Sequence, residues 1–98
     1  MTIEKKQNGT ELEMLLSGRM DTNTAPQFEE EMKNSVEGVK KLILNFENLE
    51  YISSAGLRVI LSAQKIMNKQ GEMIIRNVNE VVSEVFEITG FLDILTIE

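Results

Sequence analysis

The chain contains no cysteine and no histidine. The first absence excludes disulfide staples, thiolate nucleophiles and thiolate metal sites. The second removes the commonest general base near neutral pH, the commonest transition-metal ligand and every Ser/His or Cys/His triad. Long apolar runs are also missing: the longest extend over a few residues, as at 42–44 and 59–61, whereas a bilayer-spanning helix needs roughly 20. Residues 1–7 place Glu4, Lys5 and Lys6 around a lone Ile3 and lack the apolar stretch of a secretory signal. The expectations are no membrane insertion and a cytoplasmic location. Basic residues are in deficit too, ten against sixteen acidic, and no basic stripe interrupts the formal net charge of −6. That charge repels phosphate backbones, so no direct nucleic-acid partner is expected, and a partner with a basic face suits it better.

What is present fits one compact unit. At 98 residues, 42% hydrophobic and 27% charged, the chain has the length and composition of a single globular domain over residues 1–98. Asn8-Gly9 between residues 2–7 and 10–17 signals a two-residue hairpin. In the second arm Leu12, Met14 and Leu16 alternate with Glu11, Glu13 and Leu15, so one face belongs to a core. Gly18 is read as the end of that strand. Thr24 and Gln27 suggest a capping box for a helix that has the only proline, Pro26, in its first turn. Phe28, Met32 and Val36 make its apolar stripe, and Glu29, Glu30 and Glu31 load its first turns with charge favoured by the helix dipole.

Residues 39–46 carry Leu42, Ile43 and Leu44 without alternation, the pattern of a strand covered on both faces. A connecting loop is expected over 48–54, then a largely buried helix over 55–69, and a further strand over 73–76 after Gly71. Asn77 and Glu80 read as a second capping box, opening a helix with Val78, Val81, Val82, Val85 and Ile88 inward and Gly90 as its stop. Residues 92–97 read as a last strand. The six methionines read as adaptable core filler. A hairpin followed by alternating helices and strands implies an α/β fold: a mixed sheet with helices packed on it.

The junction between the buried strand and the buried helix, 45–61, is crowded with small residues at Ser53, Ser54, Ala55 and Gly56. At the carboxyl end of a parallel strand the next helix offers unpaired backbone N–H groups and the positive end of its dipole, which favours a phosphate. The local residues also allow a simpler arrangement, with Ser53 capping the helix, Ser54 a small first-turn residue and Gly56 present for close packing. Asp21 by itself reads as a turn carboxylate that accepts local backbone hydrogen bonds.

The stretch Ile52-Ser53-Ser54-Ala55-Gly56-Leu57 resembles the signature loop of STAS domains, the family of bacterial anti-sigma factor antagonists, matching at Ser54, Gly56 and Leu57 with Ile52 in the preceding apolar position. Gly18-Arg19-Met20-Asp21 followed by Thr24-Ala25 looks like that family's turn into its first helix, and the order of elements agrees along essentially the whole chain. The resemblance implies a STAS-type mixed β-sheet. It also implies a protein-interaction switch in which an anti-sigma factor that is also a serine kinase phosphorylates Ser54 and a metal-dependent serine/threonine phosphatase reverses the step. Ser53 is the second choice of acceptor, and Ser62 and Thr22 are disfavoured. Three departures stand out. Ser53 occupies a position where many members have aspartate, Ala55 replaces the family's second hydroxyl, and Asn45 stands where aspartate is frequent.

On this reading the partner-binding residues are Asp21, Tyr51, Ser53, Ser54, Gly56 and Arg58, with no catalytic residue, no metal ligand and no cofactor. Two alternatives remain open at the level of sequence. One is an accessory STAS subunit of a transport or signalling complex, with the Ser54 loop as a constitutive docking surface. The other is a small enzyme using Asp21 with Ser53 or Ser54, which the lack of histidine, cysteine and any motif-placed carboxylate pair disfavours.

Overall fold

The computed structural model describes residues 1–98. Strand β1 (Thr2–Asn8) and strand β2 (Glu11–Met20) form the expected antiparallel hairpin, with Asn8 opposite Glu11. The two-residue turn lies one residue later than Asn8-Gly9 suggests: it is Gly9-Thr10, and only Gly9 takes a positive φ, at 63°. A glycine at the first central position is what a type II′ turn requires. Helix α1 (Ala25–Ser35) then carries the chain across to β3 (Lys41–Ile52), and helix α2 (Ser54–Gln70) leads to β4 (Glu72–Arg76). The sheet order is β1-β2-β3-β4, with β2, β3 and β4 mutually parallel.

All three helices share one face of this sheet. Leu12, Met14 and Leu16 of β2, Leu42, Leu44 and Phe46 of β3, and Met73 and Ile75 of β4 join one buried cluster with Phe28 and Met32 of α1 and Leu57, Ile60 and Met67 of α2. Val82 and Phe86 of helix α3 (Glu80–Thr89) belong to the same cluster, and the Phe86 ring lies 6.3 Å from that of Phe46. Five of the six methionines are buried here, as Met14, Met20, Met32, Met67 and Met73. Ile43 and Ile74, paired side by side, are buried outside the cluster on the opposite face. The unalternating run at 42–44 therefore reflects a strand that is apolar on both faces, with helices on one only.

Several local expectations change. Gly18 does not end β2. It sits at φ 96° among register irregularities between Leu15/Ser17 and Gly18/Arg19, and the strand resumes to pair Met20 with Ile52. At both irregularities the extra residue belongs to β3, where 45–48 face 15–17 and 49–51 face 18–19, and an insertion of this kind bends a strand without ending its pairing. As a result β3 runs on to Ile52, and the loop expected over 48–54 is strand as far as Ile52, with Leu49 and Ile52 inward and Asn48 and Glu50 outward. Asn45 is accordingly a mid-strand residue. Its Nδ2 donates to Glu13 Oε2 at 3.0 Å, and its Oδ1 accepts from Glu47 N and Asn77 Nδ2 at 3.0 Å each. An aspartate there could not donate to Glu13.

Neither predicted capping box forms. Thr24 occupies the α1 cap position but makes no side-chain cap bond, and Gln27 Nε2 donates instead to Met1 O at 3.3 Å. The first turn of α1 carries no acidic residue, because Glu29 to Glu31 begin one turn later, where Glu29 pairs with Lys33 and Glu31 with Lys5. The cap of α3 is Asn79, whose Oδ1 accepts from Val82 N at 2.8 Å, while Asn77 adopts a left-handed φ of 60° in the preceding turn. Only Val82 and Phe86 of α3 are fully buried, with Val78 and Val85 half-buried. Val81 and Ile88 face solvent because they sit about 100–120° around the helix from Val82, outside the contact stripe. The last strand over 92–97 is replaced by a 3₁₀ turn at Phe91–Asp93 and a single parallel bridge between Ile75 and Ile97. Gly90, at φ 79°, turns the chain, and Leu95 is drawn into the core, leaving too few residues to pair.

The return from α2 to β4 is the tightest point of the backbone. Glu72 N donates to Lys40 O at 2.9 Å, and a β-carbon on Gly71 would stand 1.9 Å from that same oxygen. The φ of Gly71 is 176°, so space and not backbone strain requires glycine. Gly71→Ala is expected to destabilise the fold by about 2–3 kcal/mol through overpacking against an immovable carbonyl. In a domain of this size that is a fall in melting temperature of roughly 10–20 °C, measurable by circular dichroism.

Candidate functional site

The site is built where β2 and β3 end side by side. Met20 and Ile52 are register partners, and Ser53 N donates to Met20 O at 2.8 Å, which fixes the start of α2 against the end of β2. Ser53 is extended (φ −96°, ψ 176°), and its Oγ accepts from Gly56 N at 3.4 Å, so it caps the helix as the sequence suggests. Ser54 follows as the first helical residue and is exposed. The amides of the first helical turn have no carbonyl one turn back within the helix, so they and the dipole face the region around its hydroxyl.

Gly56 is buried beneath this turn. A β-carbon there would come within 2.8 Å of Ile52 Cγ1 and 2.9 Å of Met20 Sδ, so its hydrogen lets α2 approach both strand ends. It is a packing residue and presents no side chain to a partner. Tyr51, half-buried, lies under the guanidinium of Arg19, whose Cζ is 4.5 Å from the ring centroid, the two residues being register partners across β2 and β3.

Asp21 closes the turn into α1. Its Oδ1 accepts from Asn23 N at 3.0 Å and Thr24 N at 3.1 Å, while Thr24 Oγ1 accepts from Asp21 N at 2.9 Å and donates to Arg19 O at 2.8 Å. Desolvation pushes the Asp21 carboxyl upward, but the backbone donors of Thr24 and Asn23, the Thr24 hydroxyl and the Arg19 charge outweigh it and hold the pKa below 3.8. The carboxylate is thus engaged by its own turn, as its local sequence suggested. This turn also explains the missing α1 cap, since the Thr24 hydroxyl is spent on residues 19 and 21.

Arg58, one helical turn beyond Ser54, is exposed and forms no ion pair. Between the starts of α1 and α2 lies a shallow cleft of about 200 Å³ bounded by Thr22, Ala25, Pro26, Glu29, Ala55, Arg58 and Val59. Of these only Arg58 is among the partner-binding residues expected from the sequence. No local signal marks the others, since the two helix starts meet only because β2 and β3 pair in parallel with both helices on one face. A larger open depression of about 560 Å³ lies by the end of α1, lined by Lys5, Gln7, Leu12, Asn34, Ser35 and Glu37, and holds none of the predicted site residues. Ser62 is half-buried within α2, away from the helix start.

These features define a small α/β module with a mixed four-stranded sheet and a polar lip at the carboxyl ends of its parallel strands. The sequence model of the STAS domain matches residues 2–98, and the chain belongs to the STAS domain family. The chain is 40% identical over 84 residues to BtrV of Bordetella bronchiseptica, named as an anti-sigma factor antagonist, covering 84% of this chain and 72% of that protein. It is 29% identical over 98 residues to the anti-sigma-B factor antagonist of Bacillus subtilis, covering 99% and 90%. The solved structure of the anti-sigma factor antagonist SpoIIAA from Bacillus in its unphosphorylated form superposes with a TM-score of 0.85, at 20% identity, over 99% of this chain and 88% of that one. Its phosphorylated form gives 0.77, at 19% identity, over 99% and 91%. At that level of identity the SpoIIAA likeness concerns the fold.

The two serines differ in what they do for the helix. Ser53→Ala removes the cap and is expected to cost about 0.5–1 kcal/mol, the lower part of the usual range because the bond is long. Ser54→Ala is expected to stay within about 0.5 kcal/mol, as surface substitutions do; urea unfolding of both variants measures the difference. Asp21 adds a pH signature. With its folded pKa lowered, its stabilising contribution is present above about 3.8 and is lost as pH falls through the folded value. The stability gap between the wild type and Asp21→Asn should therefore be constant near neutrality and close in acid, as read by denaturant midpoints across that window.

Proposed function

We propose that this chain is an anti-sigma factor antagonist: a single STAS domain, cytoplasmic and not an enzyme, that binds an anti-sigma factor serine kinase when Ser54 is unphosphorylated and so frees the sigma factor. The observation that carries the reading is the placement of Ser54. It is exposed on the first turn of α2, beside the Asp21 turn and the Arg19–Tyr51 stack, in a chain whose relatives are named as antagonists of this kind. The docking surface comprises Asp21, Tyr51, Ser53, Ser54 and Arg58, with Gly56 setting the height of the helix under it.

Phosphorylation adds about −1.5 to −2 charges to the centre of that surface. The kinase would supply ATP and Mg²⁺, and the Ser54 hydroxyl is the acceptor. Within the domain the new charge meets the positive end of the α2 dipole, a gain of about 0.3–1 kcal/mol, and nothing in the core moves. In the complex it must be buried beside groups chosen to fit a neutral hydroxyl, at a cost of several kcal/mol without matching arginines. Each 1.4 kcal/mol weakens association about tenfold, so the modified protein leaves its partner without unfolding. A metal-dependent serine/threonine phosphatase returns it to the binding state.

Incubation with the cognate kinase and ATP, followed by mass mapping, tests the reading. Phosphate is expected on Ser54, with none on Ser54→Ala, which still binds. Ser54→Asp is expected to bind at least about tenfold more weakly, a loss of 1.4 kcal/mol or more, while melting like the wild type. A kinase that modified another residue, or that held both forms equally, would sink the proposal.

A further inference from the structure

Helix α3 and the residues after it carry a second surface that the Ser54 lip does not use. Its inward stripe, through Val82 and Phe86, is fully buried. Beside that stripe, Val81 is 53% exposed and Ile88 81% exposed. Seven residues apart on one helix, they lie within about 20° of each other and form a ridge, with half-buried Val85 between it and the core. After Gly90 reverses the chain, Leu92 and Ile94 are also 42% and 50% exposed, while Leu95 turns inward. These four are the exposed large apolar side chains of the chain.

The charge around them is of one sign. Residues 77–98 contain Glu80, Glu84, Glu87, Asp93 and Glu98 and no lysine or arginine, whereas residues 1–76 hold the remaining eleven acidic residues against all ten basic ones. Most of the net charge is thus gathered at this end of the sequence. Glu98 is paired with Arg76 at 3.0 Å; the other four form no ion pair. On α3 the glutamates at 80, 84 and 87 succeed one another at spacings of four and three, so they make a row along the outer side of the Val81–Ile88 ridge. The glutamates toward the end of α3 lie where the helix dipole disfavours them, and no basic residue of the last turn offsets it.

We infer that this ridge and its acidic border form a docking surface for a basic amphipathic helix of a partner protein, its apolar stripe on Val81, Ile88, Leu92 and Ile94 and its lysines or arginines against Glu80, Glu84, Glu87 and Asp93. The sign of the border selects that occupant. A second copy of the same surface would set four unpaired carboxylates against four, and an anionic lipid surface would meet the same repulsion. An apolar ridge edged by cations satisfies both halves of the surface, in the manner of helix-in-groove recognition. The surface is independent of Ser54, so a partner held here could remain bound in either state of that residue.

The probe is a synthetic 18-residue helix with leucines on one stripe and lysines flanking it. Two control peptides accompany it, one with the leucines replaced by glutamine and one with the lysines replaced by glutamate. Amide shifts in the full chain are expected to change along residues 80–95, with both controls binding at least about tenfold more weakly, a loss of 1.4 kcal/mol. Ile88→Asn, at a side chain that touches little of the core, is expected to weaken the probe by a similar factor without lowering the melting temperature. Glu84→Gln with Glu87→Gln should weaken it and flatten its salt dependence, and Ser54→Ala should leave it unchanged. Equal binding of the glutamine control, or shifts centred on other acidic residues, would overturn the inference. So would self-association in sedimentation that Ile88→Asn abolishes, or pelleting of the chain with phosphatidylglycerol vesicles that the same substitution prevents.

Discussion

The parallel pairing of β2 with β3 holds together the end of the molecule that carries the polar lip. It survives two register irregularities to bring Met20 opposite Ile52, and the Ser53 N to Met20 O bond then carries the junction into the first residue of α2. Every feature of the lip descends from this. Asp21 follows Met20, Ser54 follows Ser53, and the stacked Arg19 and Tyr51 are the preceding rungs of the same ladder. Gly56 completes the constraint, because any larger residue would lift α2 off Ile52 and Met20.

The lip is therefore stiff where it is built and soft where it is chemical. Its backbone is tied by the Asp21–Thr24 turn, by the Ser53 cap and by the strand ladder, while the hydroxyl of Ser54 and the guanidinium of Arg58 project from it without partners in the fold. A surface of that kind can change its charge at one atom and keep its shape. That is the property a binding switch needs, since affinity responds to a buried charge far more steeply than the folding of an exposed helix start does.

Much of this architecture is legible before any coordinates. The hairpin, the alternation of helices and strands and the apolar stripe of α1 follow from periodicities that backbone geometry imposes on any chain. Ser53 as cap and Ser54 as first helical residue follow from residue type and position. The misreadings share a cause. Gly18 as a stop, a loop at 48–54, a cap at Asn77 and a strand at 92–97 each rested on a local signal that a distant contact overrode. Gly18 is absorbed into an irregular stretch because β3 is there to pair with. Asn77 is displaced as cap by Asn79, whose Nδ2 also reaches Leu49 O at 2.7 Å. Val81 and Ile88 belong to the same class, because apolar character says that a residue can be buried and not whether a neighbour arrives to bury it.

The sequence by itself determined the order of elements as far as α3, the Ser53 cap and the concentration of acidic residues after residue 76, since each is written in residue type and spacing along one stretch of chain, and its resemblance to STAS domains pointed to the family. Only the tertiary structure decided that all three helices take the same face, that Asp21 and the start of α2 lie side by side, that Asn45 ties the open face together and that the α3 ridge stands uncovered. These depend on contacts between residues about 30 or more positions apart, and a chain's local periodicity carries no record of which distant surface will meet it.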